Sequence, residues 1–187
     1  MIYESWPWKQ DLQRRVRLLL KYNTREQFKK NEEAAYTVIE KSIFYSAFII
    51  RKLIDCRSKV SDAVDDYIFH IESIKPLKHI DQFHNSLNEK SHDWENRHSV
   101  TVHGKDICIW LIHSFIFSVA FNEDGIISHF YVSSDYDKNK ILYEISISDW
   151  LDYAKFVSTD YIVALLDRFD QKKGDYIFRY KERGKLE

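Results

Sequence analysis

The 187-residue chain is nearly neutral, with 28 Lys and Arg against 29 Asp and Glu, so no global field steers it to nucleic acid or to an acidic membrane and any basic patch must be local. A hydrophobic share of 44% beside 30% charged residues excludes a disordered chain and gives enough apolar surface for a core. Aromatics at 16%, with four Gly and two Pro, predict long elements, few tight turns and a bulky interior.

The opening MIYESWPWKQDLQRR has no apolar leader-like run, so export is not expected. Residues 9–30 read as an amphipathic helix, with Leu12, Val16, Leu19 and Tyr22 on one side and a basic stripe of Arg14, Arg17, Lys21 and Arg25. Residues 32–57 give the clearest helix, acidic at its start and basic at its end, with Ile39, Ile43, Ala47, Ile50 and Ile54 on one stripe. A short element is expected near 66–74, followed by a long histidine-rich connection over 75–106; connections of that length are uncommon inside a domain and often functional.

The apolar run ICIWLIHSFIFSVAF (107–121) is too short to cross a bilayer, for which roughly 20 residues are needed. It divides into a helix-like part through His113 and a strand from Phe115 that alternates with period two. Asn122–Gly125 supplies a turn, IISHFYVSS (126–134) the return strand and ILYEISIS (141–148) a third strand. A helix capped by Ser148 or Asp149 follows, then a second capped by Ser158 or Thr159 and carrying Ile162, Leu165, Leu166 and Phe169. The expected fold is α+β in one domain, 1–187: mainly helical 1–74, the connection 75–106, a three-stranded antiparallel β-meander over 107–148, and C-terminal helices with a tail over 149–187.

Cys56 and Cys108 lie in apolar surroundings and are expected to be reduced core residues. All eight histidines fall between 70 and 129, yet the pairs His79/His84 and His98/His103 are five apart and match no zinc-ligand spacing, so neither metal nor cofactor is expected. His113 has two readings: a working group at a helix-to-strand seam, or a core histidine bonded to backbone or to Asp106.

In RHSVTVH, Arg97 and His103 enclose five residues, and this spacing resembles the Arg-x(4–6)-His motif of HEPN ribonucleases (higher eukaryotes and prokaryotes nucleotide-binding domains). The resemblance implies metal-independent RNA cleavage by Arg97 and His103, usually across a dimer of helical bundles; on that alternative His113, a separate candidate, is counted with them as catalytic. The family is all helical, whereas Ser99–Val102 favours extended chain. A second resemblance rests on VIEKSIFYSAFIIRKLID, DICIWLIHSFIF, SSD and ILYEISISDW. Over much of 36–150 they are similar to a group of small uncharacterised bacterial proteins, which implies a cytoplasmic microbial setting but no mechanism. In that group a polar pair follows the position of Cys108, where this chain has Ile109 and Trp110.

No phosphate loop, nucleophile elbow or dinucleotide fingerprint is present. The expected function is therefore a non-catalytic cytoplasmic interaction module with a protein partner, of the accessory or immunity type found in bacterial or phage conflict systems. Homodimerisation is compatible with that role, and no membrane contact is expected. The alternatives are the ribonuclease, and nucleic-acid binding through Arg14, Arg17, Lys21 and Arg25.

Overall fold

The N-terminal third is helical because its apolar residues recur every three or four positions. In the structure, a computed structural model describing residues 2–184, the helices are α1 (Trp6–Tyr22), α2 (Arg25–Lys30), α3 (Glu32–Asp55) and the single turn α4 (Asp62–Asp65). The helix expected over 9–30 is two helices. Asn23 leaves helical geometry and uses its side chain on the backbone of Ile127, accepting from its N–H (2.8 Å) and donating to its C=O (2.7 Å). Thr24 then caps α2 through the Gln27 N–H, and Asn31 caps α3 through the Ala34 N–H.

The strands are β1 (Ile68–Ile74), β2 (His98–His103), β3 (Ser114–Phe121), β4 (Ile127–Ser134), β5 (Leu142–Ser146), β6 (Ile162–Asp170) and β7 (Asp175–Arg183). Helix α5 (Gly104–Ile112) lies between β2 and β3, and α6 (Ile147–Ser158) between β5 and β6. The α+β class stands, but the expected three-stranded meander ending in helices is incorrect. The main sheet has five antiparallel strands in the order β2-β1-β5-β4-β3. Its two extra strands come from the region expected to hold one short element and a connection. Their pairing is non-local, Glu72 standing opposite Glu144, and no local pattern encodes that.

The second C-terminal helix is also a correction: 162–183 is the hairpin β6–β7, a separate two-stranded sheet. Ile162, Leu165, Leu166 and Phe169 fit a helical spacing, but Val163 and Ala164 make the run apolar on both sides. Gly174, at φ 63°, closes the return turn in a conformation that side chains disfavour.

One face of the five-stranded sheet is covered by helices. The buried stripe of α3 (Ile39, Ile43, Ala47, Ile50, Leu53) packs with Leu12, Val16 and Leu19 of α1, and with Phe130, Val132 and Ile145 of the sheet. Each such large apolar side chain contributes about 1.5–3 kcal/mol by leaving water. Trp150 of α6 is fully buried and donates its indole N–H to Ser46 Oγ of α3 (3.0 Å). Helix α5 starts against the buried Tyr153 ring, and Gly104 suits that place because a Cβ would stand only 2.4–2.8 Å from atoms of the Tyr153 phenol.

The other face is covered at one end by residues 75–97. Ile80, Leu87 and Trp94 close over Ile74, Ile116 and Leu142 in a second, smaller apolar cluster. Asn139 holds this cap by bonding both the N–H and the C=O of Ile80.

Candidate functional site

Beside the cap, one row of residues crosses all five strands on the helix-free face: Ser99, Glu72, Glu144, Tyr131 and Ser118. Two carboxylates directly opposite would repel. Arg97 resolves the clash: its Nη1 donates to Glu144 Oε2 at 2.5 Å and its Nε donates to Trp94 O at 3.2 Å. Tyr131 Oη donates to Glu144 Oε1 (3.3 Å), and burial, followed by the Glu144 charge, pushes that phenol up. Arg97 thus latches the cap to a buried carboxylate.

The three residues expected at a ribonuclease site do not meet within the chain. Arg97 precedes β2 and His103 ends it, six extended residues or about 20 Å away. His103 instead begins α5, its N–H donating to Asp106 Oδ2 (3.3 Å) in a capping box at the start of that helix. His113 ends the same helix, about 15 Å further on. It marks the expected seam, but its side chain is exposed, so the core-histidine reading is corrected. Its backbone is satisfied by Ile109 O and the Asp135 N–H, and Asp106 serves His103 instead.

The histidines disperse similarly. His84 pairs with Asp81 on the surface, His70 meets Thr101 Oγ1, and His92 is buried against Ser91 Oγ. Among the described residues no group of three or more His, Cys, Asp or Glu stands close enough to hold a metal ion. Both cysteines are free; Cys108 is wholly buried and its thiol is pushed far up by that burial, whereas Cys56 is half-buried.

Arg14, Arg17, Lys21 and Arg25 are all exposed, as are Lys29 and Lys30, and none has an ion-pair partner among the described residues. The stripe expected from the sequence is therefore a free basic surface. Its far end is mixed, because Arg25 and Lys29 share a cleft of about 420 Å³ with Glu32, Glu123 and Asp124. A phosphate seated there would meet three carboxylates.

The surface that sequence reasoning missed is the hairpin. Leu166, Phe169, Tyr176, Phe178 and Tyr180 gather on one of its faces by register. Leu166 is 58% exposed, Val163 57% and Tyr176 53%. Between this face and Ile2, Trp8 and Cys56 runs a groove of about 840 Å³, rimmed by Lys52, Asp167 and Asp175. Among the described residues, the hairpin's ion pairs to the rest of the chain lie at its root, where the buried Lys181 ammonium reaches Asp65 Oδ2 (3.0 Å) and Asp62 Oδ1 (3.3 Å) and Arg183 lies over Phe156 and beside Asp160. The available signal was Gly174 after two lysines, between two runs rich in aromatic and branched residues.

These features define an α+β protein with a half-capped antiparallel sheet and a projecting apolar hairpin. Compared with protein-family models, curated proteins and solved structures, the chain matches none. Among the described residues no helix is long and apolar enough to cross a membrane.

Proposed function

We propose that the chain is a non-catalytic, cytoplasmic interaction module that meets a protein partner through its C-terminal hairpin. The observation that carries this reading is the uncovered aromatic face of β6–β7. A two-stranded hairpin alone is marginal in water, and contiguous exposed apolar surface marks interaction sites. Two free cysteines accord with a reducing compartment. The ribonuclease reading gains no support within one chain, because Arg97 is engaged by Glu144 and stands a strand's length from His103.

A second reading, nucleic-acid binding, is favoured by the unpaired cations of α1 and α2. It expects salt-sensitive binding weakened by Arg14→Ala with Arg17→Ala, since each lost phosphate contact lowers the salt slope by about one. Binding that neither salt nor these substitutions alter rejects it.

The module reading is tested by affinity capture with the intact chain and with a Leu166→Ser, Phe169→Ser, Tyr180→Ser variant, each also incubated with total RNA. Expected are a stoichiometric protein retained by the intact chain and lost by the variant, and intact RNA. Equal capture by both chains, or cleavage that requires Arg97 and His103, contradicts it.

A further inference from the structure

Resting on the second reading, that of a nucleic-acid surface on α1, we propose that this surface extends across α3 and takes single-stranded nucleic acid, whose bases stack on Tyr45 and Phe48 between cations. Lys41, Tyr45, Phe48 and Lys52 recur along α3 at spacings of three and four and are all exposed, so they form one stripe on its outer face, about 16 Å from first to last. Tyr45 is 49% exposed and Phe48 43%, which leaves part of each ring open to a ligand.

Helix α1 lies beside this stripe. Trp8 meets Phe48 with ring centroids 6.3 Å apart, and the Arg15 guanidinium stands 4.7 Å from the centre of the Tyr45 ring, so the two helices run antiparallel. The Lys52 ammonium lies 5.7 Å from the centre of the Phe48 ring. Residues 12–22 of α1 hold Arg14, Arg15, Arg17 and Lys21, and residues 41–54 of α3 hold Lys41, Arg51 and Lys52, with no acid in either stretch. Asp11, Glu40 and Asp55 border them, and Asp11 and Asp55 are already tied to Arg15 (3.4 Å) and Arg51 (3.0 Å). Lys41 and Lys52, like the cations of α1, have no ion-pair partner among the described residues.

Aromatic rings set among unpaired cations suit a single strand: phosphates meet the cations, and unpaired bases stack on the rings whatever their sequence. Arg15 on Tyr45 adds a cation–π contact of the kind found in such grooves. A duplex keeps its bases stacked on one another and would use the cations alone. An acidic protein segment offers carboxylates but no flat face for either ring. The observations therefore favour the single strand over both.

The test uses the full chain and a fluorescein-labelled RNA of about 12 nucleotides, single-stranded or annealed to its complement, read by fluorescence anisotropy. The single strand should bind more tightly than the duplex. Tyr45→Ala and Phe48→Ala should each weaken that binding about tenfold without changing its salt slope, because they remove stacking and no charge. Tyr45→Trp and Phe48→Trp keep a ring in place and should bind as the parent does, which separates a lost platform from a lost fold. Lys41→Gln and Lys52→Gln should each lower the salt slope by about 0.7. Equal binding of single strand and duplex, alanine variants that bind as the parent does, or tryptophan variants that fail with them, overturn the proposal while sparing α1 as a nucleic-acid surface. Binding of neither form removes both readings; retention of poly-glutamate or of phosphatidylserine vesicles in their place would assign the cations to an acidic protein or to a lipid surface.

Discussion

Arg97 donates to a carboxylate that would otherwise sit nearly buried beside a second one. Arg97→Ala is therefore expected to destabilise the chain by about 1.5–3 kcal/mol, the worth of a hydrogen bond to a charged group, with partial recovery when Glu144→Gln is added. Denaturant unfolding reads both, and a stability equal to the parent's rejects the latch. His92 bears on the same cap. It is buried, its Nε2 has no partner among the described residues, and burial lowers its pKa from the ordinary 6.5. The unfolded chain then binds the proton more readily, so this group's contribution is present above pH 6.5 and is lost as pH falls below it. Trp94, whose ring lies 5.6 Å from that of His92, should report cap loosening by fluorescence in this acid range. His92→Phe should shift the transition to lower pH; an unshifted transition excludes the role. Neither partnership was legible, because Glu144 lies 47 residues from Arg97 and nothing local marks which histidine the cap buries. The position of His113 at the seam was legible, since the apolar period changes at that residue.

At the scale of elements, legibility followed the range of the signal. Helix α3 reads directly because caps, charge gradient and apolar stripe agree within 24 residues. Helix α5, strands β3, β4 and β5, and helix α6 read for the same reason. Strand β2 is polar at most positions and depends on β1, across the whole cap, for its pairing. The hairpin misread as a helix because a free-standing unit with few core contacts keeps apolar residues on both faces, which erases the period of two. Its turn is testable. Gly174→Val forces a branched side chain to φ 63°, at a cost of about 1–2 kcal/mol. Amide protection in β6 and β7 should fall while that of α3 persists, because among the described residues the hairpin's ion pairs to the rest of the chain lie at Lys181 and Arg183. Unchanged protection contradicts the turn assignment. Gly104→Ala should instead lower the melting temperature of the whole chain. Its methyl meets the buried Tyr153 ring, and overpacking of this kind costs about 1–3 kcal/mol; an unchanged melting temperature denies that contact.

The whole molecule combines a sheet packed on helices over one face, a latched cap over half of the other, and a hairpin that has no place in either layer. Composition anticipated the bulky interior, where Trp150, Tyr153 and Phe130 are the largest fully buried side chains. Near-zero net charge anticipated that any basic surface would be local, as it is on α1 and α2. The uncovered hairpin was not legible, because exposure is a property of the packed molecule. It is also the feature on which the proposed interaction role rests, since an exposed aromatic face is the kind of surface that a protein partner covers. Hydrogen exchange of the hairpin amides, followed in the isolated chain and in the presence of the protein that it captures, tests this most directly. The account expects protection within 162–183 to grow on capture while that of α3 stays constant; a captured protein that leaves these amides exchanging as fast as in the isolated chain would contradict it.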